Sequence, residues 1–195
     1  APATGTAIAR VEGPGTAMAR PAMRMLRPVA APAELLAQQE QTREFIQQAL
    51  KEGRDYGKIT GIDKPTLLKP GAEKVVLAFS CSASSRIVEQ EIDHDREVRW
   101  VKRKSEWDRG ARTEVVTEGV SLGLYRYVVE TTIVDQDGVV RGGGLGSCST
   151  MESKYVDRPR DLENTVLKMA TKRALIAATL SVFGLSEQFT QDVED

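Results

Sequence analysis

A glycine-rich run closely followed by a long helical pattern constrains this chain most. The run is Gly142–Thr150 (GGGLGSCST), and the segment Asp161–Gly184 (DLENTVLKMATKRALIAATLSVFG) predicts a helix that runs to about Phe183. Pro159 before the helix and Gly184 after it are typical of a helix start and stop. No Lys-Ser/Thr pair follows the glycines as in a phosphate-binding P-loop, and the helix is too distant for a dinucleotide fingerprint. We therefore expect a backbone role: a bulged strand, or close approach by another chain.

Residues upstream of this run alternate with the period of two that is typical of β-strands. The clearest case is Tyr125–Asp135, and Asp137-Gly138 after it is a strong hairpin-turn signal. Helices are predicted over 33–52 and 72–79, with an ordered loop between them. The other strand candidates are Ser85–Asp93, Val98–Lys104, Thr113–Val120 and Val139–Arg141. The fold class is therefore α+β: an antiparallel meander sheet with a long C-terminal helix packed on one face, plus N-terminal helices.

Composition divides the chain into three parts. Residues 1–33 are rich in Ala, Pro and Gly, with four arginines, and predict a flexible basic N-terminal arm. Residues 34–185 predict a single α+β domain, and residues 186–195 an acidic tail. The formal net charge of −1 excludes a uniformly basic protein but not a local basic surface. Two distant cysteines and the lack of a long apolar run favour a cytoplasmic protein without a membrane partner.

The first candidate site is the predicted last helix, which carries Lys168, Lys172 and Arg173 beside a face of small apolar residues. Lys168 and Lys172 are four residues apart and share one side of the helix, where like charges repel unless an anion lies across them. A nucleic-acid backbone would supply that anion. The alternative is an ordinary solvated helix face.

The second candidate site is Arg96–Arg112 (REVRWVKRKSEWDRGAR), in which cations alternate with the only two tryptophans of the chain. Cations bind phosphates, and aromatic rings give unpaired bases a surface on which to stack. The candidate contacts are Arg99, Trp100, Lys102, Arg103, Lys104 and Trp107. The alternative is a charged, exposed hairpin whose tryptophans pack on the core.

Enzyme and metal sites are disfavoured by the spacing of the reactive side chains. Cys81, His94 and Cys148 show no ligand spacing and no oriented nucleophile–base pair. The acidic run Glu89–Asp95 could hold a hard cation, but it is more typical of a solvated turn. We expect a non-enzymatic protein with no metal and no cofactor.

The strand signals, the run from Asp137 to Ser153 (DGVVRGGGLGSCSTMES) and the helix segment ENTVLKMATKRALIAATLSVFG together resemble the Rad-fifty-two-like single-strand annealing superfamily of phage and bacterial type. The resemblance spans about residues 70–185. It is carried mainly by the helix pattern Lys168, Ala170, Lys172, Arg173, Ala174, Leu175, Phe183 and Gly184.

The resemblance implies a homo-oligomeric ring or filament that binds single-stranded DNA in a groove between the basic hairpin and the helix-backed sheet. It would anneal complementary strands without ATP in homologous recombination and DNA repair. A single-strand-binding protein or a nuclease is a further candidate partner. The alternative is a non-catalytic interaction or scaffold subunit of a phage or mobile-element assembly, whose basic hairpin would dock an acidic partner.

Overall fold

A computed structural model describes residues 30–59, 64–108 and 111–190 of the chain; the side chains at 106–108, 111 and 112 lie outside the description. The helices are α1 (Pro32–Ala49), α2 (Lys69–Ala78) and α3 (Glu163–Val182), and the strands are β1 (Tyr56–Gly57), β2 (Thr66–Leu67), β3 (Ser82–Asp108), β4 (Ala111–Val134) and β5 (Val140–Ser149). The expected α+β class is confirmed.

The chain divides into two compact units, residues 1–41 and 42–195. Most of the expected N-terminal arm, residues 1–29, lies outside the described residues. The described part of the first unit is residues 30 and 31 and the start of α1, where the Glu34 carboxylate accepts a hydrogen bond from the Ala31 backbone N–H (3.1 Å). This contact satisfies one of the free amide groups at the helix start.

The main sheet is antiparallel with the order β3-β4-β5. The strands expected at Ser85–Asp93 and Val98–Lys104 are joined in β3, and those at Thr113–Val120 and Tyr125–Asp135 are joined in β4. The register of β3 against β4 shifts between Asp93 and Glu97. Gly123 on β4, beside this shift, has a φ of +112° that favours glycine. A bulge hides the alternation locally, so the sequence pattern suggested two strands.

Every second residue of β4 from Tyr125 to Ile133 is buried beneath α3, as the alternation predicted. On β5, Gly144 and Gly146 face the helix: a Cβ on Gly146 would overlap the Ala174 amide nitrogen and the Ala170 carbonyl oxygen. The backbone role expected for the glycine run is confirmed, but the close approach is made by the chain's own helix α3, whereas another chain was expected. Strand β5 is also irregular where Val140 pairs with Val134.

The far half of α3 lies between the sheet and a second apolar layer. Leu175, Ile176 and Leu180 pack with Ile46 and Val75 of α1 and α2. Phe189 also belongs to this cluster, and the Leu67 backbone N–H donates to the Thr190 carbonyl (3.1 Å). The described part of the segment expected as an acidic tail, 186–190, therefore packs on the body of the domain, and 191–195 lie outside the described residues.

A buried carboxylate ties the segment after α1 to α2. Asp55 is fully buried, and its Oδ2 accepts hydrogen bonds from Lys74 Nζ (2.6 Å), Arg54 Nη2 (3.2 Å) and the Lys51 backbone N–H (2.9 Å). Burial alone would raise the pKa of Asp55, but these donors outweigh it and hold the pKa at about 2. The stretch expected as a loop also contains the short β1–β2 pair.

Candidate nucleic-acid interface

The basic segment Arg96–Arg112 lies in a two-stranded extension of the sheet. Here β3 and β4 pair from Glu97↔Leu122 to Asp108↔Ala111, beyond the part of the sheet where β5 pairs with β4. We call this ribbon, residues 97–108 and 111–122, the arm. Most of its described side chains between 99 and 120 are exposed, Trp100 and Lys102 being partly buried. A two-stranded ribbon has little core of its own, so its surface is available to a partner.

The period of two divides the basic residues of the arm between its faces. Arg99 and Arg103 are exposed on one face, together with Val101. Trp100, Lys102 and Lys104 lie on the other. The sequence places these cations side by side, but the arm presents them in two directions. The side chain of Trp107 lies outside the described residues.

Trp100 and Lys102 are held at the base of the arm. The Trp100 ring lies over Gly119 of the neighbouring strand, where a Cβ would come within 2.6 Å of the indole. The indole Nε1 is buried and lacks a hydrogen-bond partner among the described residues. Lys102 Nζ lies 5.9 Å from the Trp100 ring and 2.8 Å from Asp157 Oδ1. This hydrogen bond from Lys102 holds the pKa of Asp157 below its usual value.

On α3 the three expected contacts differ in their surroundings. Lys168 is exposed and Lys172 is half-buried, and neither forms an ion pair with a described residue. Arg173 points to β5: its Nη1 donates to the Ser147 carbonyl (2.7 Å) and its guanidinium pairs with Glu152 (2.5 Å). Arg173 therefore ties α3 to β5 and the turn after it.

Two further cations that sequence reasoning missed lie where the arm meets the body. Arg158 and Arg160 flank Pro159 in the segment before α3, and both are exposed. They line a cavity of about 390 Å³, together with Val120, Ser121, Leu122, Asp157, Pro159 and Asp161. The Ser121 hydroxyl donates to the Val156 carbonyl (2.5 Å), which fixes this segment to the arm. The signal available in the sequence was the Arg-Pro-Arg triplet before a predicted helix.

Ion pairing separates the cations of the main sheet from a second set on the arm, in the segment 158–160 and on α3. On the sheet face that α3 does not cover, Arg86 pairs with Glu130 (2.6 Å) and Arg126 pairs with Glu89. A second set has no ion pair with a described residue. It comprises Arg99, Arg103, Lys104, Arg158, Arg160, Lys168 and Lys172.

The reactive side chains do not assemble into a site within the described residues. Cys148 is buried beneath α3, and burial, with a hydrogen bond to Glu152, raises the pKa of its thiol to about 12. Such a thiol is a poor nucleophile at neutral pH. His94 Nδ1 lies 3.0 Å from the Tyr125 hydroxyl. Among the described residues, no three His, Cys, Asp or Glu side chains are grouped to hold a metal ion.

None of the described helices is both long enough and apolar enough to cross a lipid bilayer. Comparison of the chain with protein-family models, with curated proteins and with solved structures gave no match.

Proposed function

We propose that this protein binds single-stranded DNA and anneals complementary strands without ATP, as an oligomer that acts in recombination or repair. The observation that carries the proposal is the set of cations on the arm, in the segment 158–160 and on α3 that form no ion pair with a described residue. Each can neutralise a phosphate without first losing an ion pair to a described residue, so a phosphodiester backbone binds with more favourable free energy here than on the sheet face whose arginines are paired.

Strand annealing needs no reacting side chain. Two single strands repel each other through their phosphates, and bound cations reduce this repulsion. Holding the backbone of one strand extended lowers the entropy cost of pairing, while its bases stay available to the second strand. The driving free energy comes from base pairing, so nucleotide hydrolysis is unnecessary.

Lys168 and Lys172 remain the expected backbone contacts on α3, and Arg99, Arg103 and Lys104 those on the arm. Arg158 and Arg160 join them. Lys102 would have to exchange Asp157 for a phosphate, and Trp100 would have to leave Gly119 before it could stack on a base. Arg173 would have to leave Glu152, so we remove it from the proposed contacts.

The test is annealing of two complementary oligonucleotides without ATP at low and moderate salt. We expect the wild-type protein to accelerate annealing and the Lys168→Glu, Lys172→Glu double variant to lose most of the acceleration. The control is Lys51→Glu with Lys58→Glu, which changes the charge equally at two exposed lysines outside the proposed surface. Equal losses in both variants would indicate a net-charge effect, and the absence of acceleration by wild type would refute the proposal.

An interaction or scaffold subunit is the second candidate, and exposed valines on the arm favour it. Val101, Val116 and Val120 share the face of Arg99 and Arg103 and are 58%, 56% and 59% exposed. Apolar side chains on a ribbon of this kind are a surface on which another protein can pack. Replacing these three valines by threonine should abolish binding of such a partner, while single-strand binding should change little if DNA is the ligand.

A further inference from the structure

An acidic side chain occupies the most enclosed basic position of the arm. Lys102 is 19% exposed and Asp157 is 33% exposed, with 2.8 Å between Nζ and Oδ1. Asp157 lines the cavity at the base of the arm together with Arg158 and Arg160. Asp157 is therefore paired with Lys102, and it also interacts electrostatically with Arg158.

The cavity combines two arginines that can bind an anion, Arg158 and Arg160, with two carboxylates, Asp157 and Asp161. Lys102 is not part of the lining and reaches the cavity through its ion pair with Asp157. Arginine guanidinium groups and a lysine ammonium are the usual ligands of phosphate oxygens in proteins. The cavity of about 390 Å³ is larger than a phosphate group requires. A carboxylate also resembles a phosphate in charge and acceptor oxygens, so Asp157 can satisfy Lys102 while no ligand is bound.

We infer that the cavity at the base of the arm binds one phosphate of a single-stranded nucleic-acid backbone through Arg158, Arg160 and Lys102, and that Asp157 is an internal competitor for Lys102. This inference rests on the proposed function for the identity of the ligand. An incoming phosphate either displaces Asp157 from Lys102 or binds beside its negative charge, and both weaken binding. Asp157 thereby lowers the affinity of the cavity for an isolated phosphate more than its affinity for a strand that is held at several points.

Two sets of variants should change binding in opposite directions. Asp157→Asn removes the competitor, so we expect a labelled oligothymidylate to bind about twofold to fivefold tighter, the range that a partly exposed ion pair supplies. The control Asp137→Asn makes the same charge change in the exposed turn between β4 and β5. Arg158→Gln with Arg160→Gln should weaken binding and make the salt dependence shallower by about 0.7, since the cavity holds one phosphate and each single-strand phosphate contact contributes about 0.7.

A second measurement tests the cavity without DNA. In the Trp107→Phe protein, Trp100 is the remaining tryptophan, and it lies close to Lys102. Titration with inorganic pyrophosphate should change its fluorescence, and Arg158→Gln with Arg160→Gln in the same background should abolish the change. Because both arginines are exposed, their replacement should leave the melting temperature unchanged.

The outcomes separate this inference from the proposed function. If wild type binds DNA but Asp157→Asn and the arginine double variant bind equally well, the inference is overturned and the proposed function stands. If wild type does not bind DNA, the proposed function fails, and the pyrophosphate titration then decides whether the cavity binds an anion. A fluorescence change that requires the two arginines supports the anion site, and no change overturns it.

Discussion

Gly144 and Gly146 determine how closely β5 and α3 approach. A Cβ on Gly144 would lie 2.8 Å from the Ala177 Cβ and even closer to the helix backbone. The small residues of α3 that face these glycines, such as Ala174 and Ala178, complete the contact. Small residues on both sides therefore allow a helix backbone to lie directly on a strand.

Replacing Gly146 by alanine tests this contact. The added methyl group overlaps helix backbone that cannot rotate away, so we expect a loss of about 1–3 kcal/mol in the free energy of unfolding, the usual cost of overpacking. Gly57→Ala is the control, because nothing lies within 4 Å of its added Cβ. Urea unfolding of both variants measures the difference. Equal stability of the two variants would show that the helix shifts without cost.

Asp55 acts at the same scale through charge. Its folded pKa of about 2 lies below the ordinary value of 3.8, so the stability it contributes is fully present above about pH 4. That contribution is lost as the pH falls from about 4 towards 2. We expect Asp55→Asn to lower the unfolding free energy by about 2–3 kcal/mol at pH 7, since charged hydrogen bonds are lost. Denaturation at pH 6 and pH 3 should also show a weaker pH dependence than in wild type.

Asp137→Asn is the matched control for the Asp55 variant, because Asp137 is exposed in a turn. If Asp137→Asn reduced the pH dependence as much as Asp55→Asn, the acid sensitivity would come from the overall charge. If neither variant changed the pH dependence of unfolding, the Asp55 network would contribute nothing measurable to the acid sensitivity.

At the scale of elements, the arm determines which side chains can act together. Arg99 and Arg103 face one direction, and Trp100, Lys102 and Lys104 the other, because side chains alternate along a strand. One face carries exposed arginines and valines, and the other faces the segment that holds Asp157. The two faces therefore make separate contributions to binding, and single substitutions on each face can distinguish them.

Arg99→Gln with Arg103→Gln tests the exposed face of the arm. Both side chains are exposed and lack ion pairs with described residues, so we expect weaker single-strand binding at an unchanged melting temperature. Arg86→Gln with Arg126→Gln removes the same charge from two arginines paired with Glu130 and Glu89, and it should affect binding less. If this second pair weakened binding equally, position on the arm would not matter.

The sequence predicted elements better than the contacts between them. Alternation over Tyr125–Ile133 and the glycine run give correct local expectations, since each depends on neighbouring residues. The continuity of β3 past Asp93 was missed because a bulge interrupts the alternation. The pairing of Lys102 with Asp157 and of Arg173 with Glu152 joins residues far apart in the chain, and no local pattern encodes such contacts.

For the whole molecule, the sheet leaves the outer edges of β3 and β5 without a partner strand among the described residues. Open edges expose backbone donors and acceptors that a strand of another subunit can satisfy. This agrees with the proposed oligomer, since two different edges on one chain favour head-to-tail assembly. Sedimentation of the full chain should give masses above 21.4 kDa at micromolar concentration. A monomer at all concentrations would contradict the oligomer.

The most direct test of the account is the salt dependence of single-strand binding by the wild-type protein. If the cations that form no ion pair with a described residue contact the backbone, the logarithm of the binding constant should fall linearly with the logarithm of the salt concentration. The slope should be about −3 to −5, since each single-strand phosphate contact contributes about −0.7. A slope near zero, or no binding at low salt, would contradict a phosphate-binding surface on this molecule.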